Sequence, residues 1–224
     1  MSEGARVALT FDAEHPDRPS SGDHTDAILA TLANRGLRAS FFLQGRWVEA
    51  MPYAAQAIAS AGHLVGNHSH YHARMPLFSP HGLSSDVESA ESAIRTIVGA
   101  DPRPWFRAPF GSGAERPELL ARLAELGYRH VGWDVAAEEW LEGKTSDDVS
   151  DAIVAGVRAR GDGTIVLLHT WPDPVVDGLP AAIDELAADR VRFVGVDELD
   201  LPPGLESIGE PRPGAEAPPV GANW

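Results

Sequence analysis

The stretch VALTFDAEHPD, Val7 to Asp17, ends an apolar run on an aspartate and places Glu14, His15 and Asp17 within five residues of it. A carboxylate at Asp12 can serve as a general base, and Glu14, His15 and Asp17 are all able to bind metal or move a proton. A second concentration is GHLVGNHSHYHARM, which holds His63, His68, His70 and His72. His68 and His72, four apart, can bring two neutral imidazoles onto one ion if the chain turns after a strand, and imidazole suits zinc or cobalt. In a continuing strand His68, His70 and His72 would instead share one face. The Gly66-Asn67 step favours a strand that ends at His68 and turns, with His70 pointing elsewhere. Cysteine is absent, which excludes thiolate zinc sites and a cysteine nucleophile, so any metal must sit on His, Asp or Glu.

These residues need a frame that collects them. Strand-like runs occur at Val7 to Asp12, Arg38 to Gly45, His63 to His68, Trp105 to Phe110, Arg129 to Val135, Thr164 to His169 and Arg192 to Val196. Helical spacing of apolar residues fills Asp23 to Arg35, Val48 to Ala61, Leu83 to Val98, Arg116 to Leu126, Ser146 to Ala159 and Leu179 to Asp189. Regular alternation predicts parallel strands joined by right-handed crossovers, in a closed α/β barrel or an open doubly wound sheet. In that frame Asp12, His68, Arg107 with Phe110, Asp134 and His169 all end strands, the rim at which α/β barrels carry their active sites.

With 224 residues, 43% hydrophobic and 23% charged, the chain is sized for one domain. We expect it to span residues 1–200, followed by a Pro- and Gly-rich tail over 201–224 that lacks apolar periodicity. A formal net charge of −15 argues against nucleic acid and anionic membrane surfaces as partners. The N-terminus shows no signal-peptide pattern, from which a cytoplasmic location is expected, or a secreted or cell-wall one if a leader has been removed.

LTFDAEHP, GNHSHYH, FRAPFG, WDVAAEEW and IVLLH, in this order, resemble the motifs of the polysaccharide deacetylase family, carbohydrate esterase family 4 or NodB-homology domain. The resemblance covers about Val7 to Asp197 and implies a distorted (β/α)7–8 barrel with a divalent metal, zinc first and cobalt, nickel or manganese as alternatives. It implies Asp12 as the base, His68 and His72 as metal ligands, Arg107 as the group orienting the base, a backbone N–H near Phe110 for the oxyanion, and His169 as the acid. In the fourth motif, Ala136 and Glu139 stand for the family's two aspartates. Glu139 then tunes His169, and Trp140 matches the groove tryptophan; Trp171, just past His169 with only Thr170 between, is a second candidate for sugar stacking. The family's second metal-ligating aspartate is replaced by Ala13. Glu14 or His15 can take over, Asp12 itself or Asp17 can ligate, or solvent can complete the site.

The resemblance implies hydrolysis of an N-acetylated sugar. Two other activities remain compatible with the sequence: hydrolysis of another C–N bond, as in cyclic amides or ureides, and carbohydrate binding by a pseudoenzyme.

Overall fold

Strand β1 (Arg6–Ala13) is buried from Val7 onward, the pattern of a central parallel strand covered on both faces. Its alternation sorts the side chains by layer. Val7, Leu9, Phe11 and Ala13 pack outward into the main core with Ile28, Leu32, Ile153, Val175 and Leu179. Ala8 belongs to the inner cluster with Phe42, Leu64, Val131, Ile165 and Val194, and the period of two sends Thr10 and Asp12 the same way. A computed structural model of the protein describes residues 4–17 and 24–201. The expected tail, apart from Leu201, therefore lies outside the described residues.

The other strands are β2 (Ser40–Leu43), β3 (Leu64–Asn67), β4 (Trp105–Phe106), β5 (Arg129–His130), β6 (Val135–Ala136), β7 (Thr164–His169) and β8 (Arg192–Phe193). All pair in parallel, in the order β5-β4-β3-β2-β1-β7-β6, with β8 on the early residues of β1. The run expected as one fifth strand, Arg129 to Val135, is divided. Its first part pairs with β4 and its last part with β7, at opposite ends of the sheet. Residues 131–134 between them complete the ring covalently, and the Arg107 guanidinium bonds the Val131 and Gly132 carbonyls there. This is a distorted (β/α) barrel whose closure runs through one chain segment rather than a ladder.

Helices α1 (His24–Asn34), α2 (Gly45–Ala50), α3 (Pro52–Ser60), α4 (Pro80–Ala93), α5 (Pro117–Glu125), α6 (Ser146–Arg160) and α7 (Asp173–Ala188) cover the outside. The helix expected over Val48 to Ala61 breaks at Met51 because Pro52 disfavours helical geometry in the residue before it. Helix α4 starts earlier than expected, at Pro80, where Ser79 Oγ caps the Gly82 N–H at 3.1 Å. Helix α7 also starts earlier and runs through Pro180, with Val175, Gly178 and Leu179 buried on either side of the expected start. No described helix is long and apolar enough to cross a membrane.

Candidate active site

Asp12, near the end of β1, turns into the barrel, where its Oδ1 takes a 2.9 Å bond from Arg107 Nη1 and its Oδ2 lies 3.5 Å from His68 Nε2. Arg107 is completely buried and stacks over Phe42, with its guanidinium carbon 4.2 Å from the ring centroid. One carboxylate oxygen is thus held by a fixed cation and the other faces the cleft.

The same alternation resolves Ala13. Its methyl group is fully buried in the outer core and faces away from the site. Glu14, two residues after Asp12, returns to the inner side and is itself buried. Glu14 Oε2 lies 3.1 Å from His68 Nε2 and in direct contact with His72 Nε2. Burial pushes the Glu14 carboxyl up, but the imidazoles of His72, His15 and His68 more than offset this and hold it well below the usual carboxylate range.

The turn after β3 brings His68 and His72 together, their ring centroids 5.0 Å apart. Asn67 Oδ1 accepts the Ser69 N–H at 2.8 Å, and Ser69 (φ 67°) and His72 (φ 56°) take left-handed conformations. The buried Asp86 carboxylate then accepts the N–H groups of His70 and Tyr71 at 3.1 and 3.0 Å. His70 points toward Glu49, 4.0 Å away, rather than into the cleft. His63 accepts the Ala39 N–H just before β3 and takes no part in the site. His68 donates Nδ1–H to the Arg107 carbonyl at 2.9 Å, which leaves Nε2 to face Glu14. Burial lowers the His72 pKa and so favours its neutral, ligating form.

One donor atom each from Glu14, His68 and His72 lies within 4.8 Å of the other two, all buried. A carboxylate and two imidazoles converging in this way match the three-protein-ligand pattern of a catalytic zinc centre. His15, expected as an alternative ligand, turns to the other carboxylate oxygen instead, its Nε2 3.0 Å from Glu14 Oε1. Its left-handed backbone (φ 56°) is held by Gln44 Oε1, which accepts the His15 N–H at 3.0 Å. Asp17 is exposed.

On the facing wall, His169 ends β7 directly opposite Asp12 in the ladder. Glu139 Oε1 accepts both its backbone N–H at 2.7 Å and its Nδ1–H at 2.8 Å. Burial pulls His169 down, but Glu139, with Glu14 and Asp12 behind it, outweighs this and raises its pKa to about 9. Its Nε2 faces the cleft, 3.8 Å from Glu14 Oε1. Trp140 meets the His169 ring edge-on with centroids 4.9 Å apart, and Trp171 Nε1 donates to Glu14 Oε1 at 3.4 Å. Phe110, in a left-handed turn (φ 58°), packs on His72 and lines the cleft with Trp133.

Asp134, which the sequence places at the same rim, lies at the other end of the sheet. It precedes β6, and its carboxylate accepts the Ile165 N–H near the start of β7, remote from the strand ends that carry the site. Gln44 went unnoticed in the sequence. It is buried, its N–H donates to the Ala13 carbonyl, and its side chain ties His15 to the His70 carbonyl. Its place immediately after β2 is the signal that could have found it.

Residues 2–131, more than half of the chain, match the family described as Polysaccharide deacetylase. The chain belongs to the polysaccharide deacetylase family. A peptidoglycan-N-acetylglucosamine deacetylase of Bacillus cereus is 28% identical over 199 residues, covering 87% of this chain and 68% of that protein. The family 4 carbohydrate esterase of Streptomyces lividans, solved with acetate, superposes with a TM-score of 0.73 at 29% identity, covering 85% of this chain and 91% of the esterase. A family 4 pseudoenzyme from Bacillus anthracis superposes with a TM-score of 0.77 at 25% identity, covering 88% of this chain and 65% of the other. The polysaccharide deacetylase fold is therefore shared by active and inactive relatives, and activity has to be argued from the site.

Proposed function

We propose that the protein is a metal-dependent deacetylase of N-acetylated sugars, with residues 1–200 as the catalytic domain and 201–224 as an appended tail. The observation that carries this reading is the placement of Glu14 beside His68 and His72, in the cleft that also holds the Asp12–Arg107 and His169–Glu139 pairs. Glu14, His68 and His72 would hold the ion, with zinc favoured by the donor set and cobalt, nickel or manganese as alternatives. Bound there, a divalent cation supplies Lewis acidity toward water and toward the acetyl carbonyl.

The chain's own groups account for the proton transfers. Asp12, anchored at Oδ1 by Arg107, offers Oδ2 as the base that takes a proton from the attacking water. His169, kept protonated by Glu139, delivers a proton from Nε2 to the sugar nitrogen as the C–N bond breaks. Water thereby adds its oxygen to the acetyl carbon, and acetate and a free amine leave. Trp140, Trp171 and Phe110 form the apolar walls against which the sugar and acetyl group would sit.

Metal quantification coupled to acetate release from N-acetylglucosamine oligomers tests the proposal. About one divalent ion per chain and measurable acetate are expected. Asp12→Asn and His169→Ala should each lower turnover by roughly 10²-fold or more with the fold intact. Metal binding without acetate from any acetylated sugar would leave a binding protein or an enzyme acting on another C–N bond. Near-normal rates in either variant would refute the assigned roles.

A further inference from the structure

Beyond the deacetylation chemistry, one cation stacked on the cleft-lining Phe110 meets no carboxylate among the described residues. The Arg74 guanidinium carbon lies 4.7 Å from the Phe110 ring centroid, and the ring of the candidate ligand His72 also packs on Phe110, its centroid 4.6 Å away. In a chain of net charge −15, Arg6, Arg35, Arg38, Arg95 and Arg158 all reach carboxylates. No carboxylate and no hydrogen-bond acceptor meets the Arg74 guanidinium among the described residues. Its position is nevertheless built: the next residue, Met75, is fully buried, and Phe110 is fixed in its left-handed turn.

We propose that Arg74, stacked on Phe110, is a subsite for a carboxylate carried by the substrate, so that the preferred substrate is an N-acetylated sugar bearing an anionic substituent close to its acetamido group. This rests on the deacetylase reading and narrows it. Stacking on an aromatic face leaves the in-plane N–H fork of a guanidinium free, and that fork matches the two oxygens of a carboxylate. The carboxylates deeper in the cleft do not forbid such a ligand. Asp12 is neutralised by Arg107, Glu14 faces imidazoles and Glu139 is bonded to His169. Glu138, the remaining cleft carboxylate, is exposed, where solvent screens it.

The test compares acetate release from an oligosaccharide containing N-acetylmuramic acid with release from a neutral chitooligosaccharide of equal length. The wild-type protein should favour the first. Arg74→Met should reduce the ratio of kcat/KM values, anionic over neutral, by about 10-fold or more, as loss of a charge-assisted bidentate contact implies. Arg74→Lys, which keeps the charge and loses the fork, should fall between. An unchanged ratio in Arg74→Met, or a wild-type preference for the neutral substrate, overturns the proposal. Loss of inhibition by free acetate with an unchanged substrate ratio would assign the subsite to the product and also overturn it. If neither substrate releases acetate, the deacetylase reading fails separately. Calorimetric binding of N-acetylmuramic acid to the wild-type protein and to Arg74→Met then decides the subsite: weaker binding by the variant supports it, and equal binding refutes it.

Discussion

At the scale of single residues, Ala13 stands where the family motif has an aspartate, and the carboxylate that reaches the cleft beside His68 and His72 is that of Glu14. Glu14 occupies the inward face that Ala13, on the outward face, cannot reach. Glu14→Ala should therefore abolish most metal binding. Ala13→Asp should not restore or tighten it, and should lower thermal stability by placing an unpaired carboxylate in the apolar core. Metal titration with parallel thermal melts of both variants checks this, and tighter binding in Ala13→Asp would contradict the assignment of faces. Glu139 makes a second residue-scale prediction. Since, against burial, it is the largest of the three carboxylate influences, with Glu14 and Asp12, that raise the His169 pKa to about 9, the acid form persists through neutral pH and is lost as pH rises past that value. The alkaline limb of kcat in the wild-type enzyme should reflect that loss, and in Glu139→Gln it should move to lower pH. A limb that stays in place would remove Glu139 from the proton donor.

At the scale of elements, the decisive piece is the turn that follows β3 rather than the strand itself. His72 reaches Glu14 only because the chain reverses through left-handed residues, and Asp86 on α4 stabilises that reversal by accepting two backbone N–H groups. Asp86→Ala leaves both donors unpaired beneath the turn. It should cost about 1–3 kcal/mol in denaturant unfolding, chiefly from the buried His70 N–H, since the Tyr71 N–H is only part-buried. Metal affinity should also drop, although Asp86 touches no ligand atom. Full affinity in a destabilised variant would show that the histidines are held by other means.

For the whole molecule, Arg107 joins the candidate site to closure. The same guanidinium that fixes Asp12 also bonds the Val131 and Gly132 carbonyls, where the strand order ends and the chain itself completes the ring. Arg107→Leu should therefore destabilise the fold by about 3–5 kcal/mol, the range for breaking a buried ion pair. Equilibrium unfolding in urea measures this, and a loss below about 1 kcal/mol, typical of an exposed pair, would mean that closure does not depend on it.

Much of this was legible in the chain itself. Alternation of strand and helix follows from local periodicity, so the parallel barrel and the rim positions of Asp12, His68, Arg107 and His169 could be read without coordinates. The ordered motifs also identified the family. Contacts between segments far apart in sequence could not be read in this way. Dividing the run from Arg129 to Val135 between two ends of the sheet is a property of closure, and it turned Asp134 from an expected rim residue into a buried structural acceptor. Which of Glu14, His15 and Asp17 lies beside both His68 and His72 likewise depends on the turn after β3 and the brace from Gln44, because all three residue types can ligate. Residue type and spacing determine which groups are capable of the chemistry. Only the packed barrel decides which of them face one another, because its register fixes the side on which every alternate side chain lies.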